Sequence, residues 1–554
     1  MTPRSTSVLL LPALTLVAAI ACMSAEDYVR EADEEVYALI EARRSQLIAG
    51  PDAFRIDPDP DSLRQRLLRG EVQGTQTLSL VEALEIAAEN SRDFQDQKES
   101  LYLAALDLTL EQWRFQNQYG GGGTANLDGD GNGAENASAD SSFSLSRLLG
   151  TGAQIVGDIG TSLFRVVSTG DGWDVVSDLG ISVTQPLLRG AGEAIVREPL
   201  TQAERDLLYQ VRAFERFRRT FAVDVVRRYL GILLSMENLK NERLNHESLA
   251  TLRRRNEAFA EAGQETDIEV DRARQDELRS ANRILELEAQ IQGQLDEFKV
   301  FLGLPVEAQI EVDPGELDRM IEIFEESEVL ESLDEQAVLD LAYAHRLDYL
   351  TTVDRIVDAE RRIRVAEDAL EAGLDFSASV NLTSAEGRPL EFRSDAMPWS
   401  AGFSLDLPID QLPERNTLRR ALIDYQAALR QVEEQSDRIR STLRDRIRNL
   451  YALRRGYELQ ETAVRLAERR VESARLNLEA GRAETFDVLQ AQESLVASQN
   501  ALKQDLVDYA LARLDLYLEL ELLEVDESGI RVDTEALRGR LQPPGEDAEG
   551  DRDE

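Results

Sequence analysis

The stretch EAGRAETFDVLQAQ, residues 479–492, has a near copy in the same chain, EAGQETDIEVDRAR at residues 261–274. At an offset of 218 positions Gly481 falls on Gly263, and an acid follows each glycine six residues later. Glycine accepts the positive φ that ends a helix at its C′ position. The repeat therefore predicts the same turn twice, each time between two helices.

Long segments with helical periodicity flank both turns. They cover about residues 192–303 and about residues 414–521, and each is interrupted only at its turn. Apolar residues at intervals of three, four and seven form the stripe that packing of helix on helix requires; in the second segment they are Leu443, Ile447, Leu450, Tyr457, Val464 and Val471. Each segment is predicted to fold as a helical hairpin with arms of roughly 80 to 100 Å, at 1.5 Å per residue.

A glycine-rich region with a period of two precedes each hairpin. Alternation of apolar and polar residues predicts two strands within about residues 140–185 and two more within about residues 374–408. Pro186 and Pro408 mark the strand-to-helix transitions, since proline closes a strand and permits a new helix. The glycines before residue 140 predict a flexible loop.

These segments define a tandem duplication, which is the most informative feature of the chain. The helical pattern of residues 78–115, before the first strands, returns in residues 333–372. The predicted divisions are an N-terminal extension at 22–75, a first repeat at 76–303, a connector at 304–332, a second repeat at 333–521 and an acidic disordered tail at 522–554.

The N-terminus predicts secretion and lipid attachment. Residues 1–21 have a positive start and a short apolar run, as a signal peptide has. Cys22, the only cysteine, follows Ala19-Ile20-Ala21, a sequence that resembles the lipobox of bacterial lipoproteins. That resemblance implies acylation of Cys22, and Met23 after it implies sorting to the outer membrane. An ordinary signal peptide with an incidental cysteine is the alternative.

Composition argues against several functions. The formal net charge of −43 repels phosphates, so we expect no nucleic-acid partner. The two histidines lie far apart in the sequence, and no cofactor motif or catalytic constellation is present, so we expect neither an enzyme nor a cofactor. Asp128, Asp130 and Asn132 match the opening of a calcium loop, but Ala139 stands where the bidentate acid belongs, so calcium binding is only a weak possibility.

Four strands cannot close a sheet on themselves, and open strand edges cannot face lipid. Trimerisation would supply about 12 strands, enough for a passage. The expected fold class is therefore mainly α, with long helical hairpins forming an α-barrel, and four β-strands per protomer that a homotrimer completes into a membrane β-barrel. Both hairpin turns would then lie at the far mouth of the tube.

The duplicated order of strands and hairpins resembles the TolC family of outer-membrane efflux proteins, in particular its lipoprotein branch. The resemblance covers about residues 76–522 and depends most on VTQPLLRGAG at 183–192, LPIDQLPERNTLRRALIDYQAALRQ at 407–431, and Gly481 followed by DVLQA at 487–491. It implies a trimeric, lipid-anchored outer-membrane channel with a large periplasmic part. This channel would be the exit duct of a tripartite efflux or type I secretion system, joined to a periplasmic adaptor and an inner-membrane pump or ABC transporter.

The resemblance also implies roles for residues near the turns. Asp487 matches an acid that lines the periplasmic entrance in some members, Gln490 stands where a second acid occurs, and Glu269 is the counterpart of Asp487 in the first half. Asp487 has a simpler reading as the acid at a helix start, where it complements the helix dipole. The turns themselves are expected to dock the adaptor, through Glu261, Ala262, Gly263, Glu479, Ala480 and Gly481.

Two other classes remain open at this point. A lipid-anchored coiled-coil tether would explain Cys22 and the long helices, but not the alternating strands. A periplasmic adaptor also uses a helical hairpin, but it should carry one hairpin flanked by small β-domains.

Overall fold

The computed structural model describes residues 24–45, 54–72, 74–129, 135–166, 173–317, 319, 335–385, 388–392, 397–526 and 529–532. The predicted signal peptide at 1–21, Cys22, Asp130 and Asn132 lie outside the described residues. Two compact units divide the chain; the first comprises Met1–Arg55, Ser100–Val211 and Thr352–Val432, and the second comprises Ile56–Glu99, Arg212–Thr351 and Glu433–Glu554.

The described helices, in chain order, are α1 (Ala25–Arg44), α2 (Leu63–Leu68), α3 (Leu80–Asn90), α4 (Arg92–Trp113), α5 (Glu193–Val196), α6 (Glu198–Glu261), α7 (Asp267–Phe301), α8 (Glu335–His345), α9 (Leu347–Asp368), α10 (Leu412–Glu479) and α11 (Thr485–Glu519). The described strands are β1 (Gln76–Leu78), β2 (Gln118–Gly129), β3 (Glu135–Leu148), β4 (Gln154–Val166), β5 (Asp174–Pro186), β6 (Ile310–Val312), β7 (Gly373–Ala385), β8 (Arg388–Phe392), β9 (Trp399–Asp406), β10 (Leu523–Asp526) and β11 (Gly529–Val532).

An antiparallel, seven-stranded sheet dominates the first unit. Its order is β2-β3-β4-β5-β7-β8, and β9 also pairs with β7. β8 pairs only with the last two residues of β7, so it lengthens that hairpin and does not widen the sheet. The strands from the two sequence repeats meet where Ile181 of β5 lies opposite Val380 of β7.

The two faces of this sheet have opposite character, because successive side chains of a strand point to opposite faces. One face is apolar and largely exposed: Trp399 is 74% exposed, Phe403 70% and Ile181 54%. The register places on it Tyr119, Phe143, Leu145, Ile155, Ile159, Leu179, Ile181, Val183, Phe376, Val380, Leu382, Trp399, Phe403 and Leu405. The other face carries serines, threonines and the aspartates Asp128, Asp140, Asp158, Asp174, Asp178, Asp375 and Asp406.

The strand-to-helix transitions lie beside one another within the first unit. Pro186 is the last residue of β5, and Pro408 follows the end of β9. Between them, Arg189 forms an ion pair with Asp406 at 2.6 Å, and the Gly190 amide donates to the Asp368 carboxylate at 2.9 Å. These contacts fix the two chain reversals against each other.

The structure confirms the fold class of long helical hairpins plus strands, but the predicted count of four strands is wrong. The first repeat supplies β2, β3, β4 and β5, since residues 118–129 and 135–139 form strands where a loop was expected. The sequence pattern did not predict β2 because of the four glycines at 120–123, since glycine has little strand propensity and no side chain that could show an alternating pattern. The whole strand is nevertheless paired, from Gln118 opposite Ser146 to Gly129 opposite Glu135.

The second unit contains most of both hairpins, including their turns, and a mixed core. The Tyr229 hydroxyl is central to this core, because it donates to the Leu78 carbonyl at 2.7 Å and accepts from the Asp313 amide at 3.0 Å. It thereby ties helix α6 to the parallel pair of β1 and β6. Burial raises the pKa of Tyr229, so this phenol stays protonated.

The residues after α11 correct the predicted start of the disordered tail. β10 and β11 form an antiparallel hairpin within residues 523–532, a stretch assigned to the tail because of its acids. Leu523 is fully buried and Leu522 is 5% exposed, so apolar burial orders this segment. No helix among the described residues is long and apolar enough to cross a membrane.

Candidate functional site

The first hairpin turn follows α6 and ends that helix with a left-handed glycine. Gly263 has φ of 72°. Its amide donates to the Ala260 carbonyl at 2.9 Å, and the Gln264 amide donates to the Phe259 carbonyl at 2.8 Å. This pair of bonds is a Schellman motif, which satisfies the last carbonyls of a helix.

The second turn repeats the first bond by bond. Gly481 has φ of 67°. Its amide donates to the Leu478 carbonyl at 3.1 Å, and the Arg482 amide donates to the Asn477 carbonyl at 2.8 Å. The sequence repeat therefore encodes the same backbone geometry in both halves, as the two EAG stretches indicated.

The helix that returns from the second turn, α11, begins with an acidic capping box. In α11 the Asp487 carboxylate accepts the Glu484 amide at 3.1 Å, and the two residues form a reciprocal capping box. Asp487 is exposed, so its charge remains in water while it holds the helix start. Asp487 therefore has a structural role as the acid that caps the N-terminus of α11, and this role does not depend on its lining a passage.

The other two predicted entrance residues have different surroundings. Glu269 pairs with Arg272 at 2.9 Å, and its side chain is only 18% exposed. Its Oε2 atom is buried and accepts no hydrogen bond within the described part of the chain. Gln490 is exposed and accepts a hydrogen bond from Arg470 at 3.3 Å. The three residues therefore do not form one cluster of free charge within the protomer.

A buried polar link joins the two hairpins near their turns. Asn256 of α6, 1% exposed, donates from Nδ2 to the hydroxyl of Thr485 at 3.0 Å. Thr485, the fully buried first residue of α11, donates in turn to the Glu265 carboxylate at 3.2 Å. The Arg272 guanidinium also lies over the Phe486 ring, 5.6 Å from its centroid. These contacts hold the start of α11 against the first hairpin.

Sequence reasoning did not find this link. Asn256 and Thr485 are separated by 229 positions, and their repeat counterparts at the 218-position offset are Ala474 and Asp267. The repeat that revealed the turns therefore gives no signal for the bond between them.

Farther along the hairpins, one contact obeys the repeat and another crosses it. Ser280 donates to Glu242 inside the first hairpin, and Gln460 donates to the Ser498 carbonyl at 3.1 Å at the equivalent positions of the second. Asn241 donates to Asn500 at 2.8 Å and so connects the first hairpin to the second. Hydrogen bonds therefore connect the two hairpins both near their turns and farther along their helices.

A charged cluster surrounds the end of α11 in the same unit. Glu521, with φ of 56°, binds Arg216 and Arg219, while Arg346 binds Glu519 and pairs with Asp348 at 2.8 Å. Burial raises the pKa of the Asp348 carboxyl, but the hydrogen bond from Arg346 and the charges of Arg216 and Arg346 outweigh burial and hold the pKa below its ordinary value.

The weak calcium prediction stays a prediction, because the structure describes only part of its site. Asp128 lies in β2 opposite Asn136, while Asp130 and Asn132 lie outside the described residues. Across the described ranges, no group of three or more His, Cys, Asp or Glu side chains is arranged to hold a metal.

The combination of an amphipathic antiparallel sheet with two long helical hairpins is the fold of outer-membrane channels. The chain superposes on the outer membrane protein VceC from Vibrio cholerae with a TM-score of 0.58 and 18% identity, over 80% of this chain and 95% of that one. It matches the CmeC outer membrane channel of Campylobacter jejuni with a TM-score of 0.58 and 13% identity, over 84% and 89%. The open state of the Neisseria gonorrhoeae MtrE outer membrane channel gives a TM-score of 0.54 and 15% identity, over 80% and 88%.

Sequence comparison matches the second half of the chain to a protein family. Residues 338–520 match the model of the outer membrane efflux protein family, whereas no curated protein sequence matches the chain. The predicted resemblance to TolC-like outer membrane efflux proteins is confirmed by the family match over residues 338–520 and by the likeness of fold to outer-membrane channels.

Proposed function

We propose that three copies of this chain form an outer-membrane channel, the exit duct of a tripartite efflux or type I secretion system. It conducts substrates passively from an inner-membrane pump and a periplasmic adaptor to the exterior. The single observation that carries this proposal is the sheet of the first unit, whose apolar face is exposed and whose two outer strands each have one edge without a partner strand among the described residues.

The sheet has the properties that a lipid-facing wall needs. Its apolar face carries Phe143, Ile159, Ile181 and Phe403, and its opposite face carries serines and aspartates that suit a water-filled interior. In lipid every backbone N–H and C=O must be bonded, so the outer strands require further strands from other copies. A coiled-coil tether would have no use for such a sheet.

The hairpin turns support an entrance that can open. The residues of both turns, Glu261 to Gly263 and Glu479 to Gly481, are exposed and offer the periplasmic adaptor two nearly identical surfaces in each copy. Asp487 projects into water beside one turn, and three such carboxylates around a mouth would attract cations and repel anions. The Asn256–Thr485 link would hold the mouth closed until the adaptor engages.

Lipid attachment at Cys22 completes the proposal. Helix α1 begins at Ala25, three residues after Cys22, and Ser24 caps it through a reciprocal bond with Asp27. Val36 and Ile40 of α1 are fully buried, and Tyr102 of α4 donates to Asp33 at 2.6 Å. An acyl chain on Cys22 would therefore anchor a helix that is itself packed onto the first unit.

Purification from membranes with detergent, followed by native mass measurement and planar-bilayer recording, tests this function. We expect the mass of a trimer and ion currents in the bilayer, and we expect Cys22→Ala to lose only the lipid mass. A chain that becomes a water-soluble monomer or dimer once the lipid is removed would support the tether instead. A chain that fails to conduct as a trimer would contradict the channel.

A further inference from the structure

The seven-stranded sheet is wider than the four strands that the repeat predicted. Without β8, six strands stand side by side: β2, β3, β4, β5, β7 and β9. The hairpin of β2 and β3 belongs only to the first repeat. It is fully integrated, because β3 pairs with β4 without interruption from Asn136 opposite Val166 to Leu148 opposite Gln154.

Both outer strands of this sheet lack the usual protection of an edge. Proteins that keep an edge free blunt it with lysine, proline or a bulge. β2 has 12 residues and β9 has eight, and neither contains Lys, Arg or Pro. Within the part of the chain that the structure describes, β2 pairs only with β3, and β9 pairs only with β7.

The direction of the strands allows the two edges to pair with each other. Every pair from β2 to β9 is antiparallel, and an even number of strands makes β2 and β9 run in opposite directions. β9 of one copy can then continue the sheet into β2 of the next copy in the same antiparallel pattern, and rotation about one axis closes the ring. The apolar face also continues across this junction, from Phe403 and Trp399 to Tyr119.

The helices next to these edges carry apolar side chains that the protomer leaves exposed. α4 leads into β2, and its Leu103, Leu110 and Trp113 lie on one face and are 59%, 52% and 50% exposed. α10 follows β9, and its Leu412 and Ile423 are 50% and 51% exposed. Pairing of β9 with the β2 of a neighbouring copy brings these two apolar faces to the same junction.

We infer that the partner of both edges is a second copy of this chain, and that three copies close a barrel of about 18 strands, six from each, rather than about 12. This inference rests on the proposed trimeric channel. At a strand spacing of about 4.8 Å and a tilt of about 40°, such a barrel measures about 36 Å between opposite backbones, against about 24 Å for 12 strands. Barrels of 16 to 18 strands leave an open aqueous channel. The strand-built mouth therefore admits bulky substrates.

Disulfide trapping in the full-length trimer tests the junction. Ser404 of β9 is replaced by cysteine together with one position on the same polar face of β2, namely Gln118, Thr124 or Asn126 in turn. We expect one of these pairs to give covalent dimers and trimers on a non-reducing gel after mild oxidation. The single variant Ser404→Cys reports any bond made through the native Cys22.

The matched control pairs Ser404→Cys with Ser162→Cys, on the polar face of β4. If the hairpin of β2 and β3 folded away from the barrel, β4 would become the edge, and this control would cross-link while the β2 pairs would not. That result would overturn the 18-strand ring and leave the channel intact. A native trimer in which neither set cross-links would equally overturn the edge pairing, whereas absence of the trimer itself would overturn the proposed channel.

Discussion

The link between the two hairpins offers the sharpest test of how the entrance opens. Thr485→Val keeps the branched shape of the side chain and removes its hydroxyl, which lies between Asn256 and Glu265 at 3.0 and 3.2 Å. Glu265 is only half-buried, so water can replace its lost partner. Asn256 is 1% exposed, so its amide donor is left unpaired inside the protein.

An unpaired buried donor costs about 1 to 3 kcal/mol. If the hairpins are joined only in the closed entrance, this cost falls on the closed state alone. The ratio of open to closed channels should then rise by about 5- to 150-fold. Single-channel recording in planar bilayers measures this ratio as the fraction of time in the conducting state.

Thr462→Val is the matched control, because Thr462 is exposed and its hydroxyl bonds only within its own helix. It donates to the Glu458 carbonyl at 3.3 Å and accepts from Arg465 at 3.2 Å. It should leave the conducting fraction unchanged. If Thr485→Val lowered the melting temperature and also left the conducting fraction unchanged, the link would stabilise both states equally, and the reasoning would be refuted.

Three further expectations follow from the same structure. Asp487→Asn keeps an oxygen for the helix cap but removes the charge, so block of the current by divalent cations should weaken by roughly 10-fold or more; unchanged block would exclude Asp487 from the entrance. Asp158→Asn with Asp178→Asn removes two charges from the polar face of the sheet and should shift the reversal potential in a salt gradient toward lower cation preference. An unshifted potential would place these aspartates away from the ion path. Asp348→Asn removes one of the two acidic partners of Arg346 and should lower the melting temperature near neutral pH. Because the folded-state pKa of Asp348 is lowered, its contribution to stability is fully present above the unfolded value of 3.8 and is lost as the pH falls through the folded pKa. The difference in melting temperature between variant and wild type should therefore shrink in acid. A difference that stayed constant with pH would contradict this origin.

Local chemistry explains why the hairpins were predictable. Gly263 and Gly481 adopt positive φ within motifs complete in six residues, and the periodic stripes on either side report helix packing directly. The strands after residue 140 were also predictable from the local pattern, since Phe143 and Leu145 alternate with serines.

The features that escaped prediction depend on tertiary contacts that the local sequence pattern does not show. β2 forms because β3 and the rest of the sheet bind its backbone, which a run of glycines does not announce. The Thr485 hydroxyl finds Asn256 only in the folded protein, and β10 and β11 are ordered by burial of Leu523 despite their acidic surroundings. Pattern and propensity cannot report contacts between segments hundreds of residues apart.

The unpaired edges and the apolar face of the sheet also affect how a single protomer behaves before the proposed trimer forms. A single protomer exposes Trp399 and Phe403 beside two strands that each have one unpaired edge, an arrangement that promotes aggregation. A formal net charge of −43 makes newly made protomers repel one another and lengthens the time available for transit. The negative charge should therefore oppose aggregation of protomers, and raising the ionic strength during refolding should screen it and increase the aggregated fraction.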